Sequence, residues 1–86
     1  MKYENNVLAS ELEINQTYVF DVSSLSGKGG YFELTIEDIK KNFKNEIGRI
    51  VCKDENSNKF VFYNPGWDCE KNGKAIGKLV EVYSDI

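Results

Sequence analysis

The 86-residue sequence contains no histidine and only one proline. Without histidine it cannot form a Ser-His-Asp or Cys-His catalytic group, and it lacks the side chain that most often transfers protons near pH 7. Fourteen carboxylates are present, but no two of them stand out in the sequence as an acid–base pair. We therefore predict that the protein is not an enzyme and has no catalytic residues.

Cysteine is also scarce, because Cys52 and Cys69 are the only two. A structural zinc site uses four ligands, mostly cysteine and histidine, which this chain cannot supply. Residues 54–58 resemble the start of a calcium loop, but Lys59 stands where that loop needs glycine and Pro65 where it needs glutamate. We expect no metal and no cofactor. Both cysteines are interpreted as small buried residues, and a disulfide would require their Cα atoms to lie within about 7 Å.

Long apolar runs are missing, so the sequence predicts no membrane span, no signal peptide and a cytoplasmic protein. The net charge of −3 disfavours nonspecific binding to nucleic acid, since such binders are usually basic. The charge is uneven. Residues 1–38 hold two bases and seven acids, whereas residues 39–86 hold nine bases and seven acids. An acidic half of this kind is typical of an ordinary solvated surface, and the alternative interpretation is a surface for a basic partner.

The length predicts a single domain, residues 1–86, with one modest core. Apolar residues predict strands at 11–14, 17–22, 31–34, 49–53, 60–63 and 78–83. The strand at 60–63 is apolar on both faces, which predicts a central or doubly covered strand. Asn72-Gly73 is a preferred hairpin turn, and a two-residue loop there would set Cys69 opposite Ile76. Gly77 is typical of a bulge near the start of the last strand.

One segment, at about residues 35–45, has the pattern of an amphipathic helix. Thr35 is suited to cap its start, and Asp38 follows three residues later. At 100° per residue one face would carry Ile36, Ile39, Phe43 and Ile47. The predicted fold is α+β in the order βββαβββ. It would be a small barrel-like or strongly twisted antiparallel sheet of five or six strands, OB-like or SH3-like, with a ubiquitin-like sheet as the alternative.

Aromatic residues beside a rigid turn predict the partner-binding surface. Asn64-Pro65-Gly66 is a strong turn signal, and large aromatic side chains next to it lose little entropy on binding. The predicted partner-binding residues are Tyr63, Asn64, Trp67, Asp68, Tyr31 and Lys28. Trp67 would alternatively close one end of the core. The glycine-rich stretch 27–30 is interpreted as a hairpin tip, because a phosphate-binding loop would lead into a helix.

These features favour a noncatalytic protein-binding module. Small acidic proteins of this type are often inhibitors, such as toxin-immunity proteins or phage proteins that cover a surface of a host nuclease or defence protein. The alternative is an OB-like or SH3-like nucleic-acid-binding domain in which Tyr31, Tyr63 and Trp67 form a stacking platform. A third hypothesis is self-assembly through an edge strand. The sequence does not fix the oligomeric state.

Overall fold

Six antiparallel strands close into a barrel in the computed structural model, which describes residues 6–24 and 29–84. The strands are β1 Thr17–Ser24, β2 Gly29–Lys41, β3 Ile47–Lys53, β4 Lys59–Tyr63, β5 Asp68–Lys71 and β6 Lys74–Ser84. Each strand pairs with the next one in sequence, and β6 pairs with β1 to close the barrel. A short 3₁₀ turn, Ala9–Glu11, precedes β1.

The barrel confirms the small antiparallel architecture and corrects its details. Neighbouring strands follow sequence order, whereas the OB-fold is a five-stranded Greek-key barrel, so neither the OB-like nor the SH3-like prediction is confirmed. The described ranges contain no α-helix, so the α+β class and the ubiquitin-like alternative are wrong. The predicted strand at 11–14 is also wrong, because the 3₁₀ turn ends there and irregular backbone follows.

The predicted helix at about 35–45 is wrong because β2 continues through this segment to Lys41. A bulge explains the misleading pattern. Ile36 lies opposite Cys52 and Ile39 lies opposite Ile50, with Glu37 as the extra residue between them. The bulge therefore places two inward-facing isoleucines three positions apart, and this spacing imitates one face of a helix.

The remaining helix signals have other roles in the barrel. The hydroxyl of Thr35, expected to cap a helix, lies 2.7 Å from the hydroxyl of Thr17 across the β1–β2 pair. Phe43 is 95% exposed and lies in the turn after β2. Pairing of β2 with β1 on one side and β3 on the other outweighs a helix preference that is weak by comparison.

The core fills the barrel interior with side chains from every strand. Its fully buried members are Phe20, Phe60, Phe62, Leu34, Ile36, Ile50, Val22, Cys52 and Cys69. The rings of Phe20 and Phe62 stack with centroids 5.0 Å apart. Both cysteines are free and buried, as expected for small apolar residues. Burial on this scale is the main source of stability in a barrel of this size.

The β5–β6 hairpin confirms the predicted turn and corrects its register. Asn72 and Gly73 both have positive φ, at 52° and 85°, as a type I′ turn requires. Cys69 lies opposite Gly77 and not Ile76, because the register shifts between Cys69 and Glu70. A Cβ atom on Gly77 would lie 1.7 Å from the carbonyl oxygen of Ser23, so only glycine permits β6 to approach β1 this closely.

Candidate functional site

Four of the predicted partner-binding residues lie together at the turn between β4 and β5. The side-chain amide of Asn64 donates a hydrogen bond of 3.0 Å to the carbonyl of Ile47, and its backbone N–H donates to Gly48. The hydroxyl of Tyr63 donates to Glu70 at 3.3 Å. Asp68 forms an exposed ion pair with Lys78 at 3.7 Å. Trp67 is the fourth of these residues. Most of these polar groups are therefore already partnered within the chain.

Trp67 packs against the core beside the segment that precedes β1. Its side chain is half-buried against the core cluster, and its carbonyl accepts a 2.9 Å hydrogen bond from the N–H of Leu79. Together with Leu12 and Ile50 it lines a shallow hollow of about 230 Å³. Of the two sequence interpretations of Trp67, core closure is the one that the contacts favour.

The aromatic residues predicted as a stacking platform do not share one surface. Tyr31 lies on β2, opposite Asp21 of β1, and its side chain is 55% exposed. Tyr63 lies on β4, which β3 separates from β2. Tyr31 therefore belongs to a different wall of the barrel from Tyr63 and Trp67. Lys28 lies outside the described residues.

The wall that contains Tyr31 is acidic and aromatic, and we call it the acidic face. It consists of Asp21, Tyr31, Glu33, Glu81 and Tyr83. Pairing of β1 with β2 and β6 brings these residues together, because Asp21 lies between Tyr31 and Glu81. Val19 lies one step further along β1, between Glu33 and Tyr83. The rings of Tyr31 and Tyr83 are 6.4 Å apart across β1.

Negative charge accumulates on the acidic face, and no base among the described residues is paired with it. Asp21 and Glu81 are directly opposite each other, an arrangement that costs free energy in an isolated sheet. Within residues 6–24 and 29–84, no lysine or arginine forms an ion pair with Asp21, Glu33 or Glu81. Burial raises the pKa of Tyr83, and the nearby carboxylates of Glu81 and Asp21 add to this effect. The face is therefore suited to a cationic surface.

A cleft of about 510 Å³ continues the acidic face toward the β3–β4 loop. Tyr31 and Glu33 form one side, and residues 54–57 form the other. Asp54 holds this loop through three hydrogen bonds to its carboxylate. The backbone N–H groups of Asn56 and Asn58 each donate at 2.9 Å, and the side-chain amide of Asn58 donates at 2.8 Å. The Asn58 side chain contributes most to lowering the pKa of Asp54. Asp54 thus organises the loop that carries Glu55 into the cleft.

The acidic face offers carboxylates and aromatic rings, a combination that binds cations without covalent chemistry. In the described part of the chain, no group of three or more His, Cys, Asp or Glu side chains is placed to hold a metal ion. Across residues 6–24 and 29–84 no helix has the length and apolar character to cross a membrane.

A second surface, which the sequence reading missed, lies at the end of the β2–β3 hairpin. We call residues 39–49 the hairpin arm; they contain four bases and one acid. Asn42 fixes the turn, because its side-chain oxygen accepts bonds from the N–H groups of Lys44 at 2.9 Å and Glu46 at 3.1 Å. Phe43 is thereby held outward at the tip, with the Lys44 ammonium 5.8 Å from its ring centroid. Asn42 and Asn45 are turn-forming residues and were the available signal.

The fold defines the class of this protein as a closed, six-stranded, up-and-down antiparallel β-barrel. Comparison of the chain with protein-family models, curated proteins and solved structures found no match. Its function is therefore inferred from its own surfaces.

Proposed function

We propose that this chain is a noncatalytic protein-binding module whose acidic face docks on a basic surface of a larger partner and covers it. The observation that carries the proposal is the unbalanced charge of that face. Asp21 and Glu81 oppose each other across β1 and β6, with Glu33 nearby, and no base of the described chain neutralises them. A partner that supplies lysine or arginine would relieve this repulsion.

The two tyrosines give the face its specificity. Tyr31 is 55% exposed and Tyr83 is half-buried beside it, so the pair presents a large, rigid, amphipathic surface among the carboxylates. Tyrosine is enriched at interface hot spots, and it can stack on a guanidinium group. Carboxylates around an aromatic centre also steer a basic partner into place and suppress binding to polyanions.

This arrangement supports an inhibitor of the immunity or anti-defence class, acting in the cytoplasm. An enzyme that binds a polyanionic substrate, such as a nuclease, needs a basic groove, and an acidic face of this kind competes for that groove. The alternative function, a nucleic-acid-binding stacking platform, has less support, because Tyr31 lies on a different wall from Tyr63 and Trp67.

The test compares capture of a partner by charge-matched variants. The wild-type chain should retain one stoichiometric protein from a lysate of the source cell or its host, and salt should release it. Glu33→Lys/Glu81→Lys should lower its retention at least about tenfold, as expected when interface charges are reversed. Asp68→Lys/Glu70→Lys makes the same charge change beside the β4–β5 turn and should retain the partner.

Three results would overturn the proposal. The first is that a folded preparation captures no partner. The second is that reversal of Asp68 and Glu70, and not of Glu33 and Glu81, abolishes capture, which would place the interface at the β4–β5 turn. The third is quenching of Trp67 fluorescence by single-stranded oligonucleotides at low salt, which would favour the nucleic-acid alternative.

A further inference from the structure

Phe43 is the most exposed large apolar side chain of the described residues, at 95%. It is not on a loose loop. The N–H of Asn42 donates to the carbonyl of Glu46 at 2.8 Å, and the N–H of Asn45 donates to the carbonyl of Asn42 at 3.0 Å. A phenylalanine held in water by a fixed turn retains its full apolar surface for a partner, at little cost in ordering on binding.

An apolar groove lies beside the hairpin arm on the same molecule. It has a volume of about 660 Å³ and runs between the segment before β1 and the start of the hairpin. Its apolar lining includes Leu12, Ile14, Ile39 and Ile47. Ile14 is 47% exposed there, so the groove presents apolar surface that no part of the described chain covers.

The charges around the groove are mixed in sign. Lys41 lines one part of it, and Glu13 and Glu46 line others. A polyanion such as nucleic acid or an anionic membrane would meet these two carboxylates and a chain whose net charge is −3. A surface that carries both signs is instead complementary to a second copy of itself when the twofold axis passes between Lys41 and the two carboxylates, because each lysine then meets the carboxylates of the other chain.

The position of Phe43 also fits a twofold contact. Phe43 and the groove lie at the same end of the barrel, because Asn45 and Glu46 of the same turn line the groove. In a twofold dimer each protomer gives and receives the same contact. The Phe43 of each protomer therefore enters the groove of the other at the same time. Strand pairing is a poorer route, because the barrel is closed and the N–H of Ile39 is already bound by the Asp38 carboxylate at 3.0 Å.

We infer that the chain forms a twofold dimer in which Phe43 of each protomer packs into the groove of the other, lined by Leu12, Ile14, Ile39 and Ile47. Lys41 faces Glu13 and Glu46 across this interface. The contact is small, so it exchanges readily and is populated at high protein concentration. It leaves the acidic face exposed on both protomers, which makes the dimer bivalent toward a partner with repeated basic sites.

Sedimentation of the purified 86-residue chain over a wide concentration range tests the inference without any partner. The wild type should show a monomer–dimer equilibrium. Phe43→Ser should raise the dimer dissociation constant at least about tenfold, as loss of an aromatic anchor does, whereas Phe43→Leu should largely retain dimerisation. Tyr31→Ser removes another exposed aromatic, on the acidic face, and should leave the equilibrium unchanged.

A charge exchange sharpens the test. Lys41→Glu and Glu46→Lys should each weaken the dimer, and the double variant should recover most of the loss if these residues meet across the interface. A chain that remains monomeric at every concentration, or a dimer insensitive to Phe43→Ser, would overturn the inference. Binding of an oligonucleotide or an anionic vesicle that requires Phe43 would overturn it too, by giving the hairpin arm a different occupant. Because sedimentation uses no partner, absence of a dimer would not contradict the acidic-face proposal, which the capture experiment tests separately.

Discussion

The acidic face and the hairpin arm are carried by the same strand and have opposite chemistry. The first half of β2 contributes Tyr31 and Glu33 to a face with three carboxylates, while its second half enters an arm with four bases and one acid. The bulge at Glu37 separates the two halves. A net charge of −3 thus conceals two surfaces of opposite sign, each with an exposed aromatic residue. Average charge is a poor guide to what such a molecule binds.

The pairing of β1 with β6 brings the residues of the acidic face together, and one added methyl group at Gly77 should disrupt it. Gly77 has φ +157°, and a Cβ atom there would meet the Ser23 carbonyl at 1.7 Å. We expect Gly77→Ala to lower the free energy of unfolding by at least about 3 kcal/mol, a large part of the stability of a small domain. Urea denaturation would measure the loss.

Gly73 provides the matched control for that substitution. It also has positive φ, at +85°, but a Cβ atom there would have no neighbour within 4 Å. Gly73→Ala should therefore cost only the backbone strain of about 1 to 2 kcal/mol. If both variants lose the same stability, the close approach of β6 to β1 is not what holds the acidic face together.

Between the two surfaces, the interior holds two thiols that should make stability depend on alkaline pH. Burial raises the pKa of Cys69 from 9.0 to about 12. Burial also raises the pKa of Cys52, and the charge of a Cys69 thiolate would raise it further. The folded chain therefore keeps both protons at a pH where the unfolded chain releases them. The stabilisation is complete below about pH 9 and declines as the pH rises from there toward 12.

Chemical denaturation under reducing conditions at pH 8 and pH 10 would measure this effect. Each thiol should account for about 1.4 kcal/mol of lost stability by pH 10, which lies one pH unit above the unfolded pKa of 9.0. Cys52→Ala/Cys69→Ala should lose about 2 to 3 kcal/mol less than the wild type over that interval. Equal losses in the two proteins would show that the thiols titrate alike in the folded and unfolded states.

The sequence predicted the strands better than their pairing. Alternation located β1 and short apolar runs located β3 and β4, while the apolar residues of 78–83 located β6. Local periodicity did not reveal two of the register shifts, although Gly77 did indicate a bulge near the start of β6. One placed Ile36 and Ile39 at a helical spacing, and the other shifted Cys69 from Ile76 to Gly77. A bulge is stabilised by the partner strand, which lies far away in sequence, so periodicity within one segment cannot reveal it.

The surfaces were only partly predictable for the same reason. The excess of acids in residues 1–38 indicated an acidic surface, and Asp21 and Glu33 lie on it. Glu81 and Tyr83 join it from the other end of the chain through the pairing of β6 with β1. The helical spacing predicts Phe43 on the apolar face of a helix, although Asn42 and Asn45 around it are typical of a turn. Chain closure, more than local composition, decides which side chains meet.

The smallest expected effect compares like-charged pairs on the two surfaces. Asp21 lies opposite Glu81 on the acidic face, and Lys40 lies opposite Arg49 on the hairpin arm. Among the described residues the basic pair alone is relieved by an opposite charge, because Lys40 forms an ion pair with Asp38 at 3.1 Å. Glu81→Gln should therefore raise the free energy of unfolding by about 0.5 kcal/mol at low salt, whereas Lys40→Gln should leave it nearly unchanged.

Salt distinguishes this electrostatic effect from a change in packing. The gain from Glu81→Gln should shrink as salt rises to about 1 M, where the screening length falls to about 3 Å. A gain that persists in high salt would have to come from packing beside Tyr83. A loss of stability would mean that Glu81 is favourably placed in the isolated chain. The acidic face would then contain no like-charge repulsion for a basic partner to relieve. It would differ from the hairpin arm only in the sign of its charge.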